Sequence, residues 1–417
     1  MFDFVPFLIL IVLAVLVVIV AGRLRFPYTI ALVGLGFVLG LVVVRFGFTT
    51  LPTSLTSLLT PTFFFDILLP PIIFEAAIHI DARILRRRLG IVLFLVFVGV
   101  LFTTLFTGFL IATLFALPLL AGLLLASILS PTDPVAVIDL FRRLDVPAEL
   151  STIVESESLL NDAVGVIVFL VVLQLLQTGS ANAGVAVLDF LRLSLVGASV
   201  GVVVAGGVYL LSHRLEDASA ETALSVVAAY GSYLLAIDLG GSGIVAGAIA
   251  GIAIGNFAVP RDVRPTARQT VATFWKVIVY MANAVIFLTM GLLFALADLG
   301  SYLVLIAVVF GVLLVGRAIL TYAHRPIAHA LGGRDAPLPG SWYNVIALAG
   351  IRGALPIVLA LSLLTTPTPL PHSTIEAIVA AVLGVAFVSI VFGNLASDWY
   401  ARRHFGVRDS APTDALP

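Results

Sequence analysis

The chain is dominated by apolar runs of about twenty residues, separated by short loops that carry most of its charge. A helix needs roughly that length to cross ~30 Å of hydrocarbon. Inside lipid each backbone N–H and C=O must be satisfied within the protein, so a run of this kind reads as a helix. Thirteen are read, at approximately 4–22, 27–44, 62–79, 89–115, 117–140, 150–176, 184–211, 219–238, 241–258, 266–296, 300–323, 341–365 and 373–400. Pro and Gly interrupt the third, ninth and twelfth. Only 11% of the 417 residues are charged and 61% are hydrophobic, whereas a soluble chain carries about a quarter charged residues. With Cys 0, disulfides, thiolate metal sites and cysteine nucleophiles are excluded. The opening "MFDFVPFLILIVLAVLVVIVAG" has no basic n-region and no clear small-residue cleavage site, so it reads as a retained span.

Basic residues test that count. They cluster in alternate loops, as in Arg86 to Arg88, Arg142 and Arg143, and Arg261, Arg264 and Arg268, whereas the intervening loops hold essentially only Arg45. Such alternation is the positive-inside pattern. It predicts a multi-pass cell-membrane protein with its N-terminus outside and its C-terminus in the cytoplasm. The tail 401–417 is too short for a soluble regulatory domain, so one membrane domain is expected over 1–400.

Ionisable groups at membrane depth are costly and mark functional positions. The sixth span contains "ESESLLNDAVG". At about 100° per residue, Ser158 and Asp162 share one face of this helix, and Glu157 and Asn161 share a neighbouring one. The fifth span contains "SPTDPVAV", where Pro131 and Pro134 bracket Thr132 and Asp133 and should break the helix. The twelfth contains "AGIRGALPIVLAL", with Arg352 between Gly350 and Gly353. The eleventh adds Arg317, and the inner end of the third adds Glu75. Broken helices offer carbonyls and helix ends as ion ligands in secondary transporters. The fifth and twelfth spans lie seven apart. That odd offset makes spans 4–6 and 11–13 inverted repeats in hydropathy, though no residue-level repeat is evident.

Bland readings stand beside these. Asp162 reads alternatively as an acid buried for packing, Asp133 as local charge compensation at a helix break, and Glu75 as a snorkelling interface residue. Glu157 is read equally as a structural ion pair with Arg352 or as an ion ligand. No nucleophile–base or metal set is seen, so neither an enzyme nor a transition-metal site is expected, and no cofactor or nucleic-acid partner is implied.

"SPTDPVAV", "ESLLNDAVG" and "GIRGALPIVLAL", in that order, resemble the monovalent cation/proton antiporters of the NhaP and sodium–proton exchanger type. "LLPPIIFEAAIHID", "LGGSGIVAGAIAGIAIGN" and "ANAVIFLTMGL" resemble further helices of that family. The resemblance implies an all-α sodium/proton antiporter-like fold and a homodimer. A core of 89–176 and 300–400 would carry the ion against a dimer scaffold of 4–79 and 184–296. It implies Asp162 as the ion- and proton-binding aspartate with Asn161 as its partner, Thr132 and Asp133 at the helix crossing, and Ser158 as a ligand. It also implies Glu157 and Arg352 as a buried ion pair, with Arg317 in support. The expected activity is exchange of Na+ or Li+ for H+, electroneutral because only one acid stands at the Asn161–Asp162 pair. K+/H+ antiport on the same fold and a cation channel are the alternatives.

Overall fold

The computed structural model describes residues 28–46, 63–133, 146–179, 183–212, 217–258, 265–296, 299–331, 338–364 and 366–404, with 8, 12, 13, 15–17 and 141 as isolated positions. Most of the first span and the second half of the fifth lie outside the described residues. Every regular element described is helical. In chain order they are α1 (Tyr28–Phe46), α2 (Leu69–His79), α3 (Ala82–Arg87), α4 (Leu89–Leu114), α5 (Leu119–Ile128), α6 (Ala148–Thr178) and α7 (Ala183–Ser212). They continue with α8 (Ala218–Asp238), α9 (Gly243–Ala253), α10 (Pro265–Leu296), α11 (Leu303–Leu331), α12 (Gly340–Leu348), α13 (Ala354–Leu363) and α14 (His372–His404). Among the described residues, eight helices are long and apolar enough to cross a bilayer.

Local chemistry sets several of these boundaries. Asp217 caps α8 by accepting from the backbone N–H groups of Ser219 and Ala220, which have no intrahelical acceptor. Asp81 does the same for α3. Pro70 and Pro71 sit in the first turn of α2, behind a π-helical turn over Phe64–Leu68. A missing N–H is tolerated in the first turn of a helix. Gly179 ends α6 in the left-handed region, at φ 65°, where a side chain would be strained.

Packing divides the helices into two groups. α4, α5, α6, α11, α12, α13 and α14 contact one another, and so do α1, α2, α7, α8, α9 and α10. α6 meets α2, α7 and α9, and α10 meets α13 and α14, across the boundary between the groups. The outer faces of α4 and α7 expose Leu101, Leu105, Phe109, Leu188, Leu195 and Val203, as lipid-facing helices do. α6, by contrast, is 67% buried over its most apolar stretch, and its Ser156, Glu157, Ser158 and Asn161 are buried as well.

Candidate ion-binding site

Two interruptions bring the polar residues together. α5 ends at Ile128, and Ser130 to Asp133 continue without helical structure. α12 ends at Leu348 and α13 begins at Ala354, leaving Ala349 to Gly353 between them. The two interrupted segments touch: the backbone N–H of Asp133 donates to the carbonyl of Ile351 at 2.7 Å. Glycine makes this approach possible. A Cβ at Gly353 would overlap the Asp133 side chain, and one at Gly165 of α6 would stand 2.6 Å from the Pro131 ring. Gly353→Ala should therefore lower stability by ~1–3 kcal/mol, the usual cost of overpacking. Thermal melting checks this, and an unchanged melting temperature would mean that the crossing is looser than described.

Asn161 links α6 to the broken fifth span. Its Oδ1 accepts the Thr132 N–H at 3.1 Å, and its Nδ2 donates to Thr132 Oγ1 and to Glu157 Oε1, both at 2.7 Å. Amide orientation is fixed here by chemistry, because only the NH2 end can meet a carboxylate. Thr132 Oγ1 also lies 3.0 Å from Ser158 Oγ. Asn161, Ser158, Thr132 and Glu157 are each 2% exposed or less, so the lattice is sealed inside the bundle.

The ion pair differs from the expected one. Glu157 pairs with Arg317, not Arg352: Nη1 and Nη2 reach Oε1 and Oε2 at 2.8 and 2.9 Å. The reason lies in α12. Its last carbonyls have no intrahelical donor, and Arg317 Nε and Nη2 donate to Ile346 O at 3.3 and 3.1 Å. A cation is favoured at a helix C-terminus. Arg317 therefore caps α12 and pairs with Glu157 at once, in a bidentate geometry suited to a carboxylate. Arg352 turns back, donating from Nη1 to Gly350 O at 3.1 Å, while its backbone N–H donates to Ser389 Oγ at 2.8 Å.

Asp162 is a half-buried carboxylate one turn beyond Ser158, with Asp133 and Glu157 as the acids acting on it. Among the described residues it accepts no hydrogen bond. Glu75 stands apart from this lattice, with His79 Nδ1 3.6 Å from its carboxylate. Ser389 and Gly165 are positions that the sequence analysis missed. For Ser389 the available signal was a lone hydroxyl in the apolar run "GVAFVSIVFG"; for Gly165 it was a glycine one turn beyond Asp162. No three His, Cys, Asp or Glu side chains among the described residues gather as a metal-ligand set.

Two non-helical stretches, 130–133 and 349–353, touching beside a carboxylate in a bundle of apolar helices, are the arrangement of a secondary transporter of the broken-helix class. The chain belongs to the family described as "Sodium/hydrogen exchanger, transmembrane", whose profile matches residues 9–398. The Na(+)/H(+) antiporter ApNhaP of Aphanothece halophytica is 33% identical over 377 residues, covering 89% of this chain and 68% of that protein. The Na(+)/H(+) antiporter NhaH of Halobacillus dabanensis is 30% identical, covering 86% of this chain and 89% of its own length. In three dimensions the fold is similar to the sodium proton antiporter MjNhaP1 of Methanocaldococcus jannaschii at pH 8, with a TM-score of 0.78. That likeness is at 22% identity and covers 95% of this chain and 97% of that one.

Proposed function

We propose that this chain is a secondary active antiporter exchanging Na+ or Li+ for H+ across the cell membrane, with Asp162 as the single group that both cargoes use. The observation that carries the reading is the contrast within α6. Glu157 is committed to Arg317, and the Asn161 amide to Thr132 and Glu157. The Asp162 carboxylate, by contrast, accepts no hydrogen bond from the described residues, and it borders the helix crossing. One carboxylate takes a proton or a cation but not both. Competition gives coupled exchange if the loaded carrier moves and the empty, charged one does not. The Thr132 carbonyl, which no hydrogen bond occupies among the described residues, and the Ser158 hydroxyl supply further hard oxygens of the kind alkali cations prefer.

Movement follows the two packing groups. The core of 89–176 and 300–400 presents Asp162 alternately to each side, against a scaffold of 4–79 and 184–296 through which two copies dimerise. The N-terminus lies outside and the tail 401–417 in the cytoplasm, and the exchange serves pH homeostasis.

Stoichiometry is one for one. Asn161 supplies no second acid, so one H+ replaces one Na+ and the moving core carries the same charge in both loaded states. A membrane potential acts on displaced charge, with about 2.3 kcal/mol per charge per 100 mV. The pH gradient that nulls Na+ flux in proteoliposomes should therefore stay fixed as the potential is varied with valinomycin and K+ gradients, once K+ transport by the protein is excluded. A null point that moves with potential would show a second titrating group, and Asp133 is the first to replace.

A further inference from the structure

Behind the break between α12 and α13 lies a cavity of about 10 Å³, whose lining includes Phe310, Leu313, Arg317, Arg352, Val385 and Ser389. It has room for about one water-sized particle, and a chloride ion is only slightly larger. Its polar side chains, Arg317, Arg352 and Ser389, all carry hydrogen-bond donors. Arg352 is 3% exposed, and its Nε–H meets no acceptor. Among the described residues Arg352 makes no ion pair, because Glu157 is taken by Arg317. Ser389 Oγ already accepts the Arg352 backbone N–H, and its own proton meets no acceptor among the described residues. Of the backbone groups that line it, Gly350 O already accepts from Arg352.

This pattern separates the two occupants that fit. Water would accept from Arg352 and Ser389, but apart from the Ser389 hydroxyl the side chains offer its hydrogens no acceptor, the rest being guanidinium groups or the apolar Phe310, Leu313, Leu314, Ala347 and Val385. Buried water makes about three hydrogen bonds and needs acceptors as well as donors. A halide accepts from every donor and donates nothing, and its charge offsets a guanidinium left without a carboxylate. Burying an unpaired charge is costly, so an anion is favoured on both counts. We propose that this cavity binds one small monovalent anion of chloride or bromide size, held by Arg352 Nε and Ser389 Oγ.

The site uses neither Asp162 nor any transport step, so its test reads binding alone. The full chain in detergent would be titrated with bromide against gluconate at constant Na+ and ionic strength and followed by thermal melting. Crystals grown in bromide would be examined for anomalous scattering. A saturable rise in melting temperature is expected in the wild type and equally in Asp162→Asn, with one anomalous peak beside Arg352. Arg352→Gln should weaken bromide roughly tenfold or more, as loss of a charge-assisted hydrogen bond implies. Ser389→Ala should weaken it less, because the guanidinium stays. If Arg352→Gln does not fold, the wild-type anomalous peak and Ser389→Ala decide. A wild type with no saturable response, a cavity that holds water in bromide crystals, or wild-type affinity in folded Arg352→Gln overturns the proposal.

Discussion

Asp162→Asn is expected to abolish exchange while leaving the fold intact. The substituted amide keeps the shape and loses the one group that would alternate between proton and cation. Folding should be nearly indifferent to the change. The Asp162 carboxylate accepts no hydrogen bond from the described residues, whereas the lattice joining Asn161, Thr132, Ser158 and Glu157 is formed without it. Removing a charge from a half-buried position also relieves its repulsion by Asp133 and Glu157. The pair of measurements is Na+-driven dequenching of a pH dye in proteoliposomes, expected at the protein-free background, and a melting temperature at or above that of the wild type. Substantial residual exchange would remove Asp162 from the mechanism. A collapsed melting temperature would make it a packing residue instead.

Glu157→Gln or Arg317→Ala should be the most destabilising substitutions in the core. Both side chains are nearly sealed, at 2% and 7% exposure, and loss of one partner strands the other. Breaking a buried pair in this way costs about 3–5 kcal/mol. Arg317→Ala also uncaps α12, because the Ile346 carbonyl loses its donor. In a double-mutant cycle read by thermal or denaturant unfolding, the pair should be strongly non-additive. A cycle between Glu157 and Arg352 should show the weaker coupling. The reverse order would restore the pairing expected from the sequence.

That reversal shows what the residues alone disclose. Eight spans are legible among the described residues because lipid admits few solutions: a long apolar run satisfies its backbone as a helix. The breaks are legible because Pro131, Gly350 and Gly353 stand where helical structure gives way, while Pro134 lies outside the described residues. The shared face of Ser158 and Asp162 follows from helical geometry, and Thr132 does meet Ser158 and Asn161. Choosing between Arg317 and Arg352 was beyond that reasoning. Both are buried arginines in neighbouring spans, and the choice turns on which guanidinium reaches the freed end of α12, a distance that spacing along the chain does not encode. Gly165 and Ser389 were missed for a related reason. A glycine or a serine within an apolar run acquires meaning only from what packs against it.

The three hydrogen bonds of Asn161 bear on how members of such a lineage could diverge in stoichiometry. Aspartate at this position would add an acid beside Asp162, the simplest route to carrying an extra proton. Yet the side chain that would change is the one whose NH2 donates to both Thr132 and Glu157. An ionised carboxylate there would face Glu157 as a like charge at hydrogen-bonding range, and a protonated one could restore only one of the two donations. The substitution therefore reaches beyond the proposed cargo site to the contact joining α6 to the non-helical stretch at Thr132. A chain that acquires it needs compensating changes around Thr132, Glu157 or Arg317 before the new proton is useful. Reconstructed intermediates carrying Asn161→Asp alone should thus be poor transporters of either kind, separating the two coupling modes by a valley that several substitutions must cross together.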